Sequence, residues 1–235
     1  MSSPVEIEVK LGLKSAVAHA DLLQALPGAR ASGALQQQRN RFFDGPQGEI
    51  SAARIAVRVR EERRPKGDGE SVRTVLTLKR SGVTRGPIHE RIEWEEEITP
   101  ALAEIEAEPS LLLSLPGAPS TELRRLVPGL GTLVCLGGFE NERREAEVML
   151  EIPDADGIPR TVATRWEIDR TRFAPGPTEY ELEVELPPAA RALGLTAEAL
   201  VAAVKARLAA LGVETCEQPE SKYARFRRHV LGRED

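Results

Sequence analysis

Charged and apolar residues alternate one by one along Glu6-Ile7-Glu8-Val9-Lys10-Leu11. Successive side chains of a strand point to opposite faces, so Glu6, Glu8 and Lys10 share one face and Ile7, Val9 and Leu11 the other. The same pattern returns far along the chain, in Glu181-Leu182-Glu183-Val184-Glu185-Leu186, Ala56-Val57-Arg58-Val59-Arg60, Leu76-Thr77-Leu78-Lys79, Arg91-Ile92-Glu93-Trp94-Glu95 and Arg165-Trp166-Glu167-Ile168-Asp169. Like charges lined along one strand repel, so opposite charges or metal ions must neutralise them if they face inward. A closed barrel with a wet, charged interior and an apolar outside accommodates all these strands, provided helices cover the outside.

The pattern predicts strands over 6–11, 34–43, 54–62, 72–80, 88–98, 131–139, 143–151, 161–169 and 179–187. Between the first two lies a helix capped by Ser15, with Val17, Leu22, Leu23 and Leu26 at helical spacing and Pro27-Gly28 ending it. Arg63 to Ser71, holding Pro65, Gly67 and Gly69, reads as a solvated hairpin loop. Pro100 opens a helix through Glu106, and the prolines at 109, 116, 119 and 128 break the leucine-rich stretch 109–129 into short helices. Pro153 to Gly157 and Pro175-Gly176-Pro177 read as hairpin connections. A helix spans 196–211, with Thr196 as cap, Leu200, Val204, Leu208 and Leu211 as its apolar stripe, and Gly212 as its stop. A last short helix from Pro219 carries Lys222, Tyr223 and Phe226, the two rings packing over one end of the barrel. These elements define one domain over residues 1–235: mainly β, α+β by class, an antiparallel closed barrel with helices packed on its outside.

Composition narrows the partners. A net charge of −5 argues against a general nucleic-acid or anionic-membrane surface. With aromatics at 4%, aliphatic side chains must do most of the packing. Cys135 and Cys216 form no CxxC motif and read as reduced packing residues. His19, His89 and His229 are ungrouped and read as surface residues, while Trp94 and Trp166 fall on apolar faces and read as packing. The opening residues fit no signal peptide, and no apolar run has the roughly 20 residues of a spanning helix, so a cytoplasmic protein is expected.

The inward charges divide into two sets. Glu6, Glu8, Glu93, Glu95, Glu183 and Glu185 offer the oxygen ligands that hard divalent cations prefer. Lys10, Arg58, Arg60, Lys79, Arg143 and Lys222 suit phosphate oxygens, arginine through a fork of donors and lysine as a point charge. Asp169 reads as a further ligand, a partner for an inward arginine, or a turn residue. Arg144 points away from Arg143 if the strand is regular, and Glu97 and Glu181 read as ligands or rim residues. Carboxylates and cations in one site suit phosphate chemistry, in which metal and cations neutralise charge on the transferred group. The chain has no Walker A loop and no kinase signature.

Glu6-x-Glu8-x-Lys10 resembles the ExExK signature of the CYTH superfamily, the triphosphate tunnel metalloenzymes. The order of Asn40-Arg41-Phe42-Phe43-Asp44, Arg58-x-Arg60, Lys79, Glu93-x-Glu95, Arg143, Glu183-x-Glu185 and Lys222 extends the resemblance over nearly the whole chain. Leu136 to Asn141 and Ser221 to Arg227 resemble the plant-type branch, and the helical histidine-rich domain fused to some bacterial relatives is expected to be absent. The resemblance implies an eight-stranded antiparallel tunnel that hydrolyses inorganic triphosphate to pyrophosphate and phosphate with Mg2+ or Mn2+, a metal-positioned water attacking the terminal phosphorus. It implies that Glu6, Glu8, Glu183 and Glu185 hold metal, with Glu93 or Glu95 near a second ion. Lys10, Arg58, Arg60, Lys79, Arg143 and Lys222 would bind the phosphate chain. Turnover would depend chiefly on Glu6, Glu8, Lys10, Arg58, Lys79 and Glu183. Adenylate cyclase and thiamine triphosphatase are rival activities on the same scaffold. A non-catalytic polyphosphate or nucleotide-binding module is another reading, and a salt-bridged structural barrel is the bland one. Burying so many charges for structure alone is unfavourable.

Overall fold

A computed structural model describes residues 5–31 and 34–232; the opening residues 1–4, read above as lacking a signal peptide, lie outside the described residues. Eight antiparallel strands close into a barrel: β1 (Val5–Leu13), β2 (Leu35–Asp44), β3 (Ile55–Lys66), β4 (Gly69–Arg85), β5 (Ile88–Ile98), β6 (Val134–Pro153), β7 (Pro159–Arg172) and β8 (Thr178–Glu185). Around the barrel they run β1-β5-β4-β3-β2-β6-β7-β8 and back to β1. A ninth strand, β9 (Thr215–Glu217), pairs with Leu11–Leu13. It lies on the edge of β1 that β5 leaves vacant beyond Val9, since β8 already occupies the other edge there.

Closure explains why both faces of β1 are buried from Glu8 onward. The apolar face packs outward. Around β1 and β6–β8, Val9, Leu11, Trp166, Leu182 and Val184 meet α1 (Ala16–Ala25) and α7 (Ala197–Ala210), whose Leu22, Leu200, Val204 and Leu208 are buried. Around β2–β4, Phe43, Val57, Val59, Leu76 and Leu78 meet Ile50, Leu102, Ile105, Leu112 and Leu123. Those five come from α3 (Glu49–Ala52), α4 (Leu102–Ala107), a 3-10 turn (Pro109–Leu113) and α5 (Ala118–Leu126). The main hydrophobic core is therefore two external shells; a third, aromatic cluster of Phe42, Phe139, Phe173 and Phe226 lies at one end of the barrel, and the rest of the lumen is left to polar groups. Two short helices, α2 (Pro27–Arg30) and α6 (Pro188–Ala192), complete the outer layer, and α8 (Lys222–Val230) closes one mouth.

The caps follow the sequence. Ser15 and Thr196 accept from Ala18 N and Ala199 N at 3.1 Å, and Gly212 stops α7 with φ +67°. Several expectations need correction. Val17 is solvent-exposed, because it lies five residues from Leu22, roughly 140° around the helix, whereas Ala18 is one turn away and buried. Arg63 to Ser71 is no loop: β3 and β4 pair through it up to Lys66↔Gly69, and a projecting ribbon that is polar on both faces carries no alternation to read. The strands expected at 131–139 and 143–151 are one 20-residue strand, paired with β2 and β7 straight through Glu140–Arg144. The last helix starts after the Ser221 cap rather than at Pro219. His19 and His89 are buried, not surface residues. Trp166 is wholly buried among aliphatics and donates Nε1–H to Thr164 Oγ1 at 3.1 Å, a packing residue as its parity predicts. Both cysteines are free.

Candidate active site

Alternation along the strands sends one charged set into the lumen. From β1 come Glu6, Glu8 and Lys10, from β3 Arg58, Arg60 and Glu62, from β4 Thr77 and Lys79, and from β5 His89, Arg91, Glu93 and Glu95. On the opposite wall stand Arg143 of β6, Glu167 and Asp169 of β7, and Glu181 and Glu183 of β8. Lys222 enters from the first turn of α8, which is fixed by Ser221 accepting from Ala224 N at 3.1 Å.

The charges neutralise one another in three linked groups. In the first, Arg143 donates Nε–H to Asp169 Oδ1 at 2.8 Å and Nη2–H to Asp169 Oδ2 at 2.7 Å and Glu183 Oε2 at 2.8 Å, and it also meets Glu167. Lys222 Nζ lies 2.7 Å from Asp169 and 3.1 Å from Glu183, and contacts Glu181. In the second, Lys10 Nζ is 2.8 Å from Glu183 and 3.5 Å from Glu8, and Arg91 donates to Glu8 at 2.9 Å. In the third, Lys79 is 2.6 Å from Glu93 and 3.7 Å from Glu6, while Arg60 is 2.5 Å from Glu62 and 3.3 Å from Glu95. Arg58 is held more loosely, 3.2 Å from Thr77 Oγ1 and 3.8 Å from Glu95, and its Nε has no hydrogen-bond partner among the described residues.

Titration follows from these contacts. Burial pushes the Asp169 and Glu183 carboxyls up, but the cations around them outweigh it and hold both well below the carboxylate range. For Asp169 those cations are Arg143 and Lys222; for Glu183 they are Lys10, Lys222 and Arg143. Burial lowers the Lys222 ammonium, yet Asp169, Glu181 and Glu183 raise it on balance. Glu6 behaves oppositely: burial, opposed by Lys79 and reinforced by Glu8 and Glu93, pushes its carboxyl up to about 9. His89 is lowered to about 4 by burial and the nearby Lys10, so it is neutral at physiological pH.

A divalent cation suits this donor set. Asp169, Glu181 and Glu183 each present a carboxylate oxygen within 4.8 Å of the others, all three are buried, and an all-oxygen group of this kind fits a hard cation. Glu6 and Glu93 face each other beside Lys79, and Glu8 lies between Lys10 and Arg91. Glu95 reaches Arg58, Arg60 and Thr77. Glu185 stands at the exposed end of β8, apart from the buried three, and Glu97 is likewise exposed.

Several lumen residues escaped the sequence assignment. Arg91 and Glu62 share parity with Glu93 and Arg60 and could have been placed by that rule alone. Glu181 is 1% exposed, not a rim residue. Arg225, one helical turn after Lys222, is wholly buried and binds Glu179 and Glu181. Arg144 turns outward and donates to the Ala29 carbonyl at 3.2 Å. At the α8 mouth Phe226 stacks on Phe42 at 5.1 Å, and Tyr223 lies 4.7 Å from the same ring.

Fold and lumen together define an antiparallel β-tunnel with a charged, ion-paired interior. The chain belongs to the CYTH domain family, whose model matches residues 5–211. Among solved structures it is similar to HpAC1 from Hippeastrum, an adenylyl cyclase by name with a dominant triphosphatase activity. That likeness is 28% identity with a TM-score of 0.73 over 94% of this chain and 95% of the other. A Bacillus halodurans protein named as an adenylate cyclase shares the fold at 20% identity and TM-score 0.63, covering 96% of this chain and 99% of its own. The PH1819 protein of Pyrococcus horikoshii shares it at 15% identity and TM-score 0.50, over 92% and 96%. No curated protein sequence matches the chain. No helix among the described residues is long and apolar enough to cross a membrane.

Proposed function

We propose that this protein hydrolyses inorganic triphosphate to pyrophosphate and phosphate inside the tunnel, with Mg2+ or Mn2+ as cofactor. The observation that carries the reading is the convergence of buried Lys10, Arg60 and Arg143 and half-buried Arg58, Lys79 and Lys222 with buried carboxylates in one lumen. Such a lumen offers a linear polyanion charge along its length, while its aromatic rings are packed against one another at the α8 mouth rather than spread along the charged wall. Family membership and the likeness to HpAC1 support action on a triphosphate.

In this reading Arg58, Lys79 and Lys10 hold the non-bridging oxygens, exchanging their carboxylate partners for phosphate. Arg143 and Lys222 keep Asp169 and Glu183 ionised and oriented, and Lys222 also holds Glu181 in place. A bound divalent cation, held by Asp169, Glu181 and Glu183 with Glu6, Glu8 and Glu93 nearby, would neutralise phosphate charge and lower the pKa of water. The assignment of Glu95 and Glu185 to metal belongs to the same reading.

Purified protein assayed with triphosphate, ATP and thiamine triphosphate, with and without Mg2+ or Mn2+, tests it. Metal-dependent phosphate release fastest from triphosphate is expected. Equal or faster turnover of ATP would overturn the substrate, and cyclic AMP with pyrophosphate as products would overturn the reaction in favour of the cyclase in HpAC1's name. Lys10→Ala and Arg58→Ala are expected to raise KM for triphosphate about tenfold or more, the weight of one charge-assisted hydrogen bond, with the circular-dichroism spectrum unchanged. An unchanged KM in both would remove these cations from the binding site.

A further inference from the structure

Before its last residue, Asp44, whose carboxylate accepts from the Gly45 and Ile50 N–H groups, the inward face of β2 carries no charge. Gln36, Gln38 and Asn40 alternate into the lumen, all buried, between the arginines of β3 and the Arg143–Asp169 group. The middle of this amide strip is wired. Gln38 accepts from Asn141 at 2.9 Å and donates to Gln36 at 3.2 Å. Asn141 also donates to Asp169 at 3.0 Å and accepts from Thr171 at 2.8 Å.

Asn40 is different. It is 1% exposed, yet neither its Nδ2 nor its Oδ1 has a hydrogen-bond partner among the described residues. Its inward direction is secure, because flanking Arg39 and Arg41 reach outward to Glu106 of α4. Register sets it opposite Arg60 on β3 and Phe139 on β6. Its backbone is pinned as well: a Cβ at Gly138 would come within 1.8 Å of the Asn40 carbonyl oxygen, and the register of β2 on β6 shifts just beyond, between Phe42 and Phe43.

A buried amide unmatched at both ends bears a desolvation penalty that folded interiors avoid. The arginine beside it selects an anion to supply the match. We propose that Asn40 is a substrate-binding residue: its Nδ2 donates to a non-bridging oxygen of the phosphate chain beside Arg60, and its Oδ1 accepts from a protonated phosphate oxygen or a water hydrating it. The proposal rests on the triphosphate reading and adds a neutral donor to a tunnel otherwise described by its charges.

Calorimetric titration with inorganic triphosphate in EDTA, where turnover is blocked, tests it alongside ligand-free thermal unfolding. Asn40→Leu keeps the volume and removes both unmatched atoms. It is expected to bind about tenfold or more weakly than wild type, with a ligand-free Tm equal or higher. Asn40→Asp, setting a carboxylate beside Arg60, is expected to bind more weakly still. Binding by Asn40→Leu within about twofold of wild type, or a clear fall in its ligand-free Tm, would overturn the proposal, the second because the amide would then be matched within the protein. If wild type itself takes up no triphosphate, the substrate reading fails before any variant is compared.

Discussion

Arg143→Ala is expected to be the most damaging single substitution in the lumen. Arg143 closes on Asp169, Glu183 and Glu167 at once. Removing one partner of a buried ion-paired group costs about 3–5 kcal/mol, because the charges left behind are neither hydrated nor paired. The loss should depend on pH in a definite direction. Cations hold Asp169 and Glu183 below their unfolded values, so their contribution is present above the unfolded pKa and is lost as pH falls through the folded one. The gap between wild type and variant should therefore be widest above about pH 5 and shrink towards pH 3. Mg2+ should recover part of it, since a cation held by Asp169, Glu181 and Glu183 replaces the missing charge and binding stabilises the folded state. Urea unfolding at pH 7 and pH 4 with and without Mg2+ reads all three effects. A loss under about 1 kcal/mol would show that the carboxylates relax into solvent, and no recovery with Mg2+ would count against a cation at these three residues.

Glu6→Gln is expected to separate stability from turnover. The Glu6 carboxyl titrates at about 9 in the folded protein, raised chiefly by burial. Here the sign reverses: the unfolded chain gives up this proton near pH 4.5 and the folded one holds it, so stability falls as pH rises from there towards 9. Glutamine keeps the neutral shape, and its amide can still donate to Glu93, so the variant should lack this slope. A quarter of the Glu6 side chain reaches solvent and Glu93 shifts the opposite way, which tempers the gain. A stabilisation on the order of 3 kcal/mol at pH 8 without metal is the expectation. Metal-dependent turnover should fall by roughly a hundredfold or more if Glu6 must ionise to serve the metal site. Melting curves of both proteins from pH 5 to 9 in EDTA would show the slopes. A variant less stable than wild type at pH 8 would mean that Glu6 is folded as a paired carboxylate, and unaltered turnover would remove it from the chemistry.

Buried charge at this density is compatible with folding because the apolar core lies elsewhere. Val9, Leu11, Leu182 and Val184 point away from the lumen into helices, so the two external shells provide the burial that holds the cylinder closed. The lumen is free to be polar, and its ion pairs are near neutral for stability while intact. They serve instead to hold Arg143 and Lys222 rigidly against the carboxylates, as a site for a highly charged ligand requires.

Much of this was legible from alternation alone. A period of two decides which side chains share a face whatever the fold, so Glu6-x-Glu8-x-Lys10, Arg58-x-Arg60 and Glu183-x-Glu185 each had to project together, and Ile7, Val9 and Leu11 had to project opposite them. Helix stops and caps at Ser15, Thr196 and Gly212 were equally local. Parity could not rank residues along the tunnel. Glu181 and Glu185 share a face of β8, yet one is buried against Lys222 and Arg225 and the other stands at the exposed end, because barrel shear and the placement of α8 set the depth of each.

Residue order alone fixes the strands, their two faces and the kinds of charge they carry, since these depend only on backbone geometry and side-chain chemistry. Closure of the sheet is what turns the charged faces inward together, brings Asp169, Glu181 and Glu183 within reach of one another, and leaves Asn40 without a hydrogen-bond partner among the described residues. Those are distances between segments as far apart as β1 and α8, and they exist only once the sheet has closed on itself.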